Sequence, residues 1–336
     1  MSGSMSLDTP DTMTRHTPTG LLLAATSALS FGLSGTMARG LMDAGWSPAA
    51  AFAVRVSLAA VVLMVPGLLA VRGRMHLLVT HARTIAMYGL FAVVCAQLFY
   101  FLAVARLDVG IALLIEYTAP VAVVGWMWVT HGQRPGRLTL VGALVAAVGL
   151  VLLLDVVGGG RIDPVGVLLA LGAMVGAATY FVMSADDSSG LPPLTLAAGG
   201  LVAASVAFWI VAAIGVVPVT MTTNDVEFAP ATVPFWVPVA VLGFIAAALA
   251  YVSGIAAARH LGSRLASFVA LSEVAAALVF AWLLLDQAPG PMQMVGALLI
   301  LGGVVVVKLG EREVGSINPD ESLVVEVLPG APTQPR

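Results

Sequence analysis

The chain has 336 residues, 60% of them hydrophobic and 10% charged, with a net charge of −3 and a mean hydropathy of +1.01. Soluble domains carry roughly 25% charged and 45–50% apolar residues, and a water-soluble globule could not cover this much apolar side chain, so the composition points to an all-α integral membrane protein. Lys308 is the only lysine and Cys95 the only cysteine, which excludes a P-loop ATPase, a buried Schiff-base lysine, intrachain disulfides and thiolate metal cages.

In chain order, a polar tail over 1–18 is followed by ten apolar stretches, each of roughly 18–25 residues and long enough to span a hydrocarbon core about 30 Å thick. They lie at 20–41, 47–70, 84–105, 108–130, 137–155, 164–184, 192–215, 235–257, 263–285 and 290–308, and a second polar tail covers 311–336. Gly45 to Pro48, Gly132 to Gly136, Gly158 to Gly160, Pro192-Pro193, Pro230 to Pro238 and Pro289 to Pro291 punctuate them. Both tails read as disordered. The connection over 217–234 is the longest on the outer side and reads as a mobile loop. With the N-terminus in the cytoplasm, only Arg39, Arg106 and Arg161 are external and Arg55 lies within a span; the other 11 of the 15 Lys and Arg are cytoplasmic. This bias places both termini inside the cell (plasma) membrane, and an even number of spans agrees. The first stretch is too long for a signal-peptide core and reads as a retained anchor.

Residues 133–151, QRPGRLTLVGALVAAVGLV, return as QAPGPMQMVGALLILGGVV over 287–305. Gln133, Pro135, Gly136, Gly142, Ala143, Leu144 and Gly149 recur at a constant spacing of 154 residues, as do Leu107, Ala112, Ala122 and Trp128 upstream. The chain is therefore a duplicated five-span unit, 19–155 and 163–308. An odd number of spans forces the second copy to lie inverted. The charges obey this: the first turn carries Arg134 and Arg137, whereas its counterpart carries Asp286 and no arginine. Inverted repeats around a mid-membrane site characterise secondary transporters that work by alternating access.

The five-plus-five pattern, PGRLTLVGALVAAVGLVLL and its echo PGPMQMVGALLILGGVVVV resemble the drug/metabolite transporter superfamily, EamA type, over roughly residues 20–308. DVGIALLIEYTAP (108–120) is similar to the fourth helix of bacterial threonine/homoserine exporters, and LSEVAAAL (271–278) to the matching second-half element. Two departures stand out: Val274 follows Glu273 where relatives have proline, and Leu285-Asp286-Gln287 replaces a Leu-Gly-Glu ending. The resemblance implies ATP-independent export of small metabolites such as amino acids.

Three charged residues lie well inside spans: Arg55, Glu116 and Glu273. Each costs about 2.5–3.5 kcal/mol at mid-helix and needs a partner or a cavity. Arg55 and Glu116 both sit about 12 Å deep, at 1.5 Å per residue, so an ion pair is permitted. Two readings stand: a structural salt bridge, or a site in which Glu116 binds a substrate amine or a proton and Arg55 tunes it or holds a carboxylate. Glu116 directly precedes Tyr117-Thr118-Ala119-Pro120, where Pro120 removes a backbone donor and makes a hinge that frees nearby carbonyls for a ligand. Glu273 has no basic partner at its depth and is the preferred proton-coupling residue, with Glu116 second. Thr118 and Ala119 match Ser272 and Glu273 at the repeat spacing, which puts them on equivalent walls of one cavity. Gln97, Tyr100, Tyr251 and Ser267 complete the candidate cavity. Trp126, Trp128 and Trp282 suit interfacial belts, and Gly172-x-x-x-Gly176 a close helix contact.

The expected function is export of a small, threonine- or homoserine-like amino acid, with protons as the exchanged ion. Partners are the small solute, protons and the lipid bilayer; no nucleic acid, metal or cofactor is expected. Export of drugs or other uncharged metabolites on the same scaffold is the alternative. A polyanionic substrate would need more cavity cations than Arg55. A non-transporting membrane protein or an enzyme is disfavoured, because the spans offer no paired catalytic groups.

Overall fold

A computed structural model describes residues 17–119, 128–129, 136–153, 163–185, 189–215, 217–254, 256–257 and 272–315. Apolar helices occupy every predicted span. They are α1 (Thr17–Asp43), α2 (Pro48–Ala70), α3 (Ala82–Val104), α4 (Val109–Glu116), α5 (Arg137–Leu153), α6 (Pro164–Ala185), α7 (Pro193–Ala213), α8 (Trp236–Gly254), α9 (Ser272–Leu285) and α10 (Pro291–Gly315). Among the described residues, α1, α2, α3, α7 and α8 are long and apolar enough to cross a membrane; α5, α6, α9 and α10 provide shorter apolar stretches. Pro48, Pro193 and Pro291 from the predicted punctuation each open a helix, as does Pro164, where the missing N–H costs nothing. Helix α1 begins at Thr17 and α10 runs to Gly315, so helix reaches into both predicted tails.

The duplication is visible in the packing. Helices α5 and α10 pack on each other, as do α2 and α7, and α4 and α9; α1 meets α8 and α9 as α6 meets α3 and α4. Exchanging the two halves maps these pairs onto themselves. Corresponding helices run antiparallel: Gly142 faces Gly303 while Gly149 faces Gly296, and Ser57 Oγ lies 2.8 Å from Ser205 Oγ. Even a backbone irregularity repeats. Tyr88–Cys95 in α3 and Val241–Leu249 in α8 are π-helical, and their last residues are separated by the same 154 positions as the sequence repeat.

The four repeated glycines hold α5 and α10 at backbone contact. A Cβ on residue 303 would stand 2.6 Å from Ala146 N and Gly142 O, and 2.9 Å from Ala146 Cβ, whereas one on neighbouring Gly302 would meet nothing within 4 Å. Gly303→Ala is therefore expected to cost about 1–3 kcal/mol, the usual price of overpacking, while Gly302→Ala costs nothing. Thermal unfolding in detergent compares the two; equal melting temperatures would remove the close crossing from the fold's support.

The connection expected to be mobile is ordered, and it breaks the all-α pattern. Strands β1 (Val226–Phe228) and β2 (Ala231–Val233) pair antiparallel, with Val226 opposite Val233. Alternation turns Val226 fully inward and leaves Glu227 exposed. The segment is anchored to the α1–α2 corner. Trp46 Nε1 donates to Thr222 O (2.9 Å), Thr222 Oγ1 to Ala44 O (2.8 Å), and Ser47 N to Thr220 O (3.0 Å). Ala229 N donates to Leu284 O (2.8 Å) near the end of α9. Polarity and prolines alone did not reveal these long-range bonds.

Helix α9 closes at Asp286, which takes the left-handed conformation (φ 59°) that glycine ordinarily fills, and Gln287 N reaches back to Ala281 O. Gln287 Oε1 accepts from Val109 N, so this turn also caps α4. At the start of α6, Asp163 Oδ2 accepts from Arg106 Nη1 (2.9 Å), and Oδ1 from the amides of Val165 (2.8 Å) and Gly166 (3.1 Å). The arginine bond first, and then the amide bonds, hold this exposed carboxyl below its usual 3.8. A depressed folded-state value means stabilisation that is complete above the unfolded value and lost as pH falls through the folded one. Asp163→Asn is expected to melt below wild type at pH 7 and to converge with it toward pH 3; a gap independent of pH would assign the effect to packing rather than charge.

Candidate functional site

Five of the predicted residues converge. Arg55, Gln97, Tyr100, Glu116 and Glu273 line one cavity of about 30 Å³, joined by Phe31, Ser34 and Leu113. Seven of these eight belong to the first half of the chain, and α9 supplies only Glu273. The volume is room for about two water molecules.

Arg55 organises it. The residue is 3% exposed. Its guanidinium donates to Ser34 Oγ on α1 (2.6 Å), to Gln97 Oε1 on α3 and to Ala246 O on α8 (3.1 Å). Phe31 and Phe101 flank it with ring centres 6.0 and 5.7 Å from Cζ, within cation–π reach. One side chain of α2 thus ties four helices together. Both π-helical segments adjoin it: Ala246 lies inside the second, and Gln97 follows the first by two residues. Such segments displace backbone bonding from the α pattern and recur at functional sites. At the repeat spacing, Gln97 corresponds to Tyr251.

The Arg55–Glu116 ion pair that equal depth permitted does not form: among the described residues the ion pairs are Arg39–Asp43 and Arg106–Asp163. Neutral acceptors from three helices occupy the guanidinium instead. Glu116, 9% exposed, lines the cavity with no hydrogen bond or ion pair among the described residues. Glu273 is not the unpartnered carboxyl that the sequence indicated. Tyr117 Oη donates to its Oε2 at 2.6 Å, linking the end of α4 to the start of α9. A hydroxyl at the right height was invisible to a search for basic partners.

The remaining candidates fall around this core. Tyr251 makes an edge-to-face contact with Phe31 (5.2 Å, 80°), behind the cavity wall. Tyr100 reaches the cavity across Gly35, where any Cβ would collide with its hydroxyl. Thr118 Oγ1 lies 2.7 Å from Ile115 O and 3.0 Å from Met174 Sδ on α6, and Ser272 is exposed. Thr118 and Ser272 therefore do not form matched cavity walls. Ala119 is buried away from solvent while its counterpart Glu273 faces the cavity. Pro120, Ser267 and Trp126 lie outside the described residues; the chain leaves α-helical geometry at Tyr117-Thr118, just before Pro120. Trp128 and Trp282 are about half exposed. Phe31, Ser34, Leu113 and the Ala246 carbonyl were not singled out from sequence. Ser34 carried a usable signal as a polar residue in an apolar span; the others carried none. No metal-binding group occurs among the described residues.

The family model of the EamA-like transporters matches residues 18–155 and again 164–309. The chain belongs to the EamA-like transporter family. It is thus a multi-pass membrane protein of a family that transports small solutes and is not a family of enzymes, and each half described above is one EamA-like unit. No curated protein matches the chain. A solved crystal structure of a protein is similar at 21% identity and a TM-score of 0.58, covering 88% of this chain and 99% of its own. That likeness is one of fold.

Proposed function

We propose that this EamA-like protein exports a small amino acid across the cell membrane in exchange for protons. It does so by alternating access between two inverted five-span units, 19–155 and 163–308, with both tails cytoplasmic. One observation carries the substrate class: a buried guanidinium and two carboxyl groups face one small cavity. A zwitterion presents the complementary pair, a carboxylate for Arg55 and an ammonium for a carboxylate. The likeness of DVGIALLIEYTAP to threonine/homoserine exporters supports the same reading.

The charges also supply an exchange logic. With both carboxyls ionised, Arg55 leaves the cluster at net −1; one proton makes it neutral. A zwitterion adds no net charge, so exchange requires that protonation of the carboxyl pair remove the anion that the ammonium needs, which makes proton and substrate mutually exclusive. Glu116 is the ammonium acceptor because no donor among the described residues occupies it. Glu273, held by Tyr117, is the proton carrier. Gln97, Tyr100 and Ser34 orient the guanidinium and the ligand. A cavity of about 30 Å³ cannot hold an amino acid, so the helices around it must part to load and release one. Antiparallel, interchangeable halves provide two such openings, one to each side.

The test is uptake of radiolabelled amino acids, threonine and homoserine included, into proteoliposomes of the purified protein with and without an imposed pH gradient. Saturable, gradient-dependent flux is expected. A folded protein that moves none of them overturns the amino-acid reading in favour of drugs or other uncharged metabolites.

A further inference from the structure

We propose that Phe31 and Leu113 form the wall against which the side chain of the transported amino acid packs, and that they set its size and handedness. This rests on the amino-acid reading above. Among the described residues lining the cavity, these two alone are apolar. They come from different helices, Phe31 from α1 and Leu113 from α4, and each stands three residues before a polar lining residue, Ser34 and Glu116, on the same helix face. Ser34 is bonded to Arg55. A ligand whose carboxylate meets Arg55 and whose ammonium meets Glu116 has one further substituent on its α-carbon besides hydrogen. The part of the lining left for that substituent is the apolar part.

The wall is stiff where it matters. Tyr251 meets the Phe31 ring edge-to-face at 5.2 Å, and the Arg55 guanidinium stands 6.0 Å from its centre. The ring cannot swing aside for a larger ligand without giving up both contacts. Three fixed points (guanidinium, carboxylate and ring) also distinguish mirror images. A D-amino acid that satisfies both charges directs its side chain away from Phe31 and Leu113.

The experiment is competition against radiolabelled L-threonine counterflow in proteoliposomes. Competitors are L-alanine, L-serine, L-leucine, L-phenylalanine and D-threonine; the proteins are wild type, Phe31→Ala, Phe31→Leu, Phe31→Trp and Leu113→Ala. Wild type is expected to prefer the small L-amino acids at least tenfold over leucine, phenylalanine and D-threonine, since one methylene in a tight pocket discriminates by about that much. Phe31→Ala and Leu113→Ala should narrow the gap for leucine and phenylalanine at least tenfold. Phe31→Trp should exclude threonine before alanine, and Phe31→Leu should keep the wild-type order. If Phe31→Ala fails to fold, Leu113→Ala and Phe31→Trp decide the matter alone. An unchanged ranking in folded variants that still move threonine overturns the wall and leaves the amino-acid reading standing. Absence of amino-acid flux in folded wild type overturns both.

Discussion

Arg55→Ala is expected to lose most of the folded protein, and Arg55→Lys to recover only part of it. The guanidinium bonds Ser34, Gln97 and Ala246 at once and is sandwiched by Phe31 and Phe101. Removing it leaves buried acceptors from α1, α3 and α8 without their donor, and takes away the one cation among the described lining residues while Glu116 and Glu273 remain. Losses on the order of 3–5 kcal/mol follow when one partner of a buried charge cluster is deleted, a large share of a total that is about 5–15 kcal/mol for a typical domain. Lysine restores the charge, but its compact ammonium lacks the planar fork that spans acceptors on three helices. The readout is melting temperature and the monodisperse fraction in detergent. A variant Arg55→Ala that melts with wild type and loses only transport would show the guanidinium to be a ligand group alone. Adding Glu116→Gln to Arg55→Ala should return part of the lost stability by removing one of the uncompensated carboxyls.

The two carboxyls should fail differently. Glu116→Gln is expected to leave the amount of folded protein unchanged, because no hydrogen bond among the described residues depends on it. It should cut flux roughly ten- to hundredfold at low substrate, since a charge-assisted bond to the ammonium is worth about 1.5–3 kcal/mol and each 1.4 kcal/mol is tenfold. Glu273→Gln keeps an acceptor for the Tyr117 hydroxyl, so the link between α4 and α9 survives while the proton site is lost. Counterflow between equal substrate pools should persist in Glu273→Gln, and an imposed pH gradient should no longer drive accumulation. Both variants are measured in the same proteoliposomes. A Glu273→Gln protein that still responds to the gradient removes this carboxyl from coupling; equal losses in both assays for both variants would erase the division of roles.

The legible part of this protein was its periodicity. Apolar run length located the apolar helices, though not the short helix His76–Thr80, because each span must be long and apolar to sit in hydrocarbon, and several prolines read as punctuation stand at helix starts because their missing N–H is harmless there. The Gln-x-Pro-Gly echo foretold a duplication that reappears in the antiparallel contact of Gly142 with Gly303 and of Gly149 with Gly296. Buried charge is costly enough that Arg55, Glu116 and Glu273 could be singled out without coordinates, and all three line one cavity. Which group bonds which was decided by tertiary structure alone. Pairing across helices depends on rotation and height at the scale of one hydrogen bond, and residue spacing along a span resolves only turns. Hence Arg55 went to Ser34, Gln97 and a backbone carbonyl rather than to Glu116, and Glu273 found the hydroxyl of Tyr117. The loop expected to move became a hairpin for the same reason: its stability comes from bonds to Ala44, Trp46, Ser47 and Leu284, partners on other elements that no local pattern encodes.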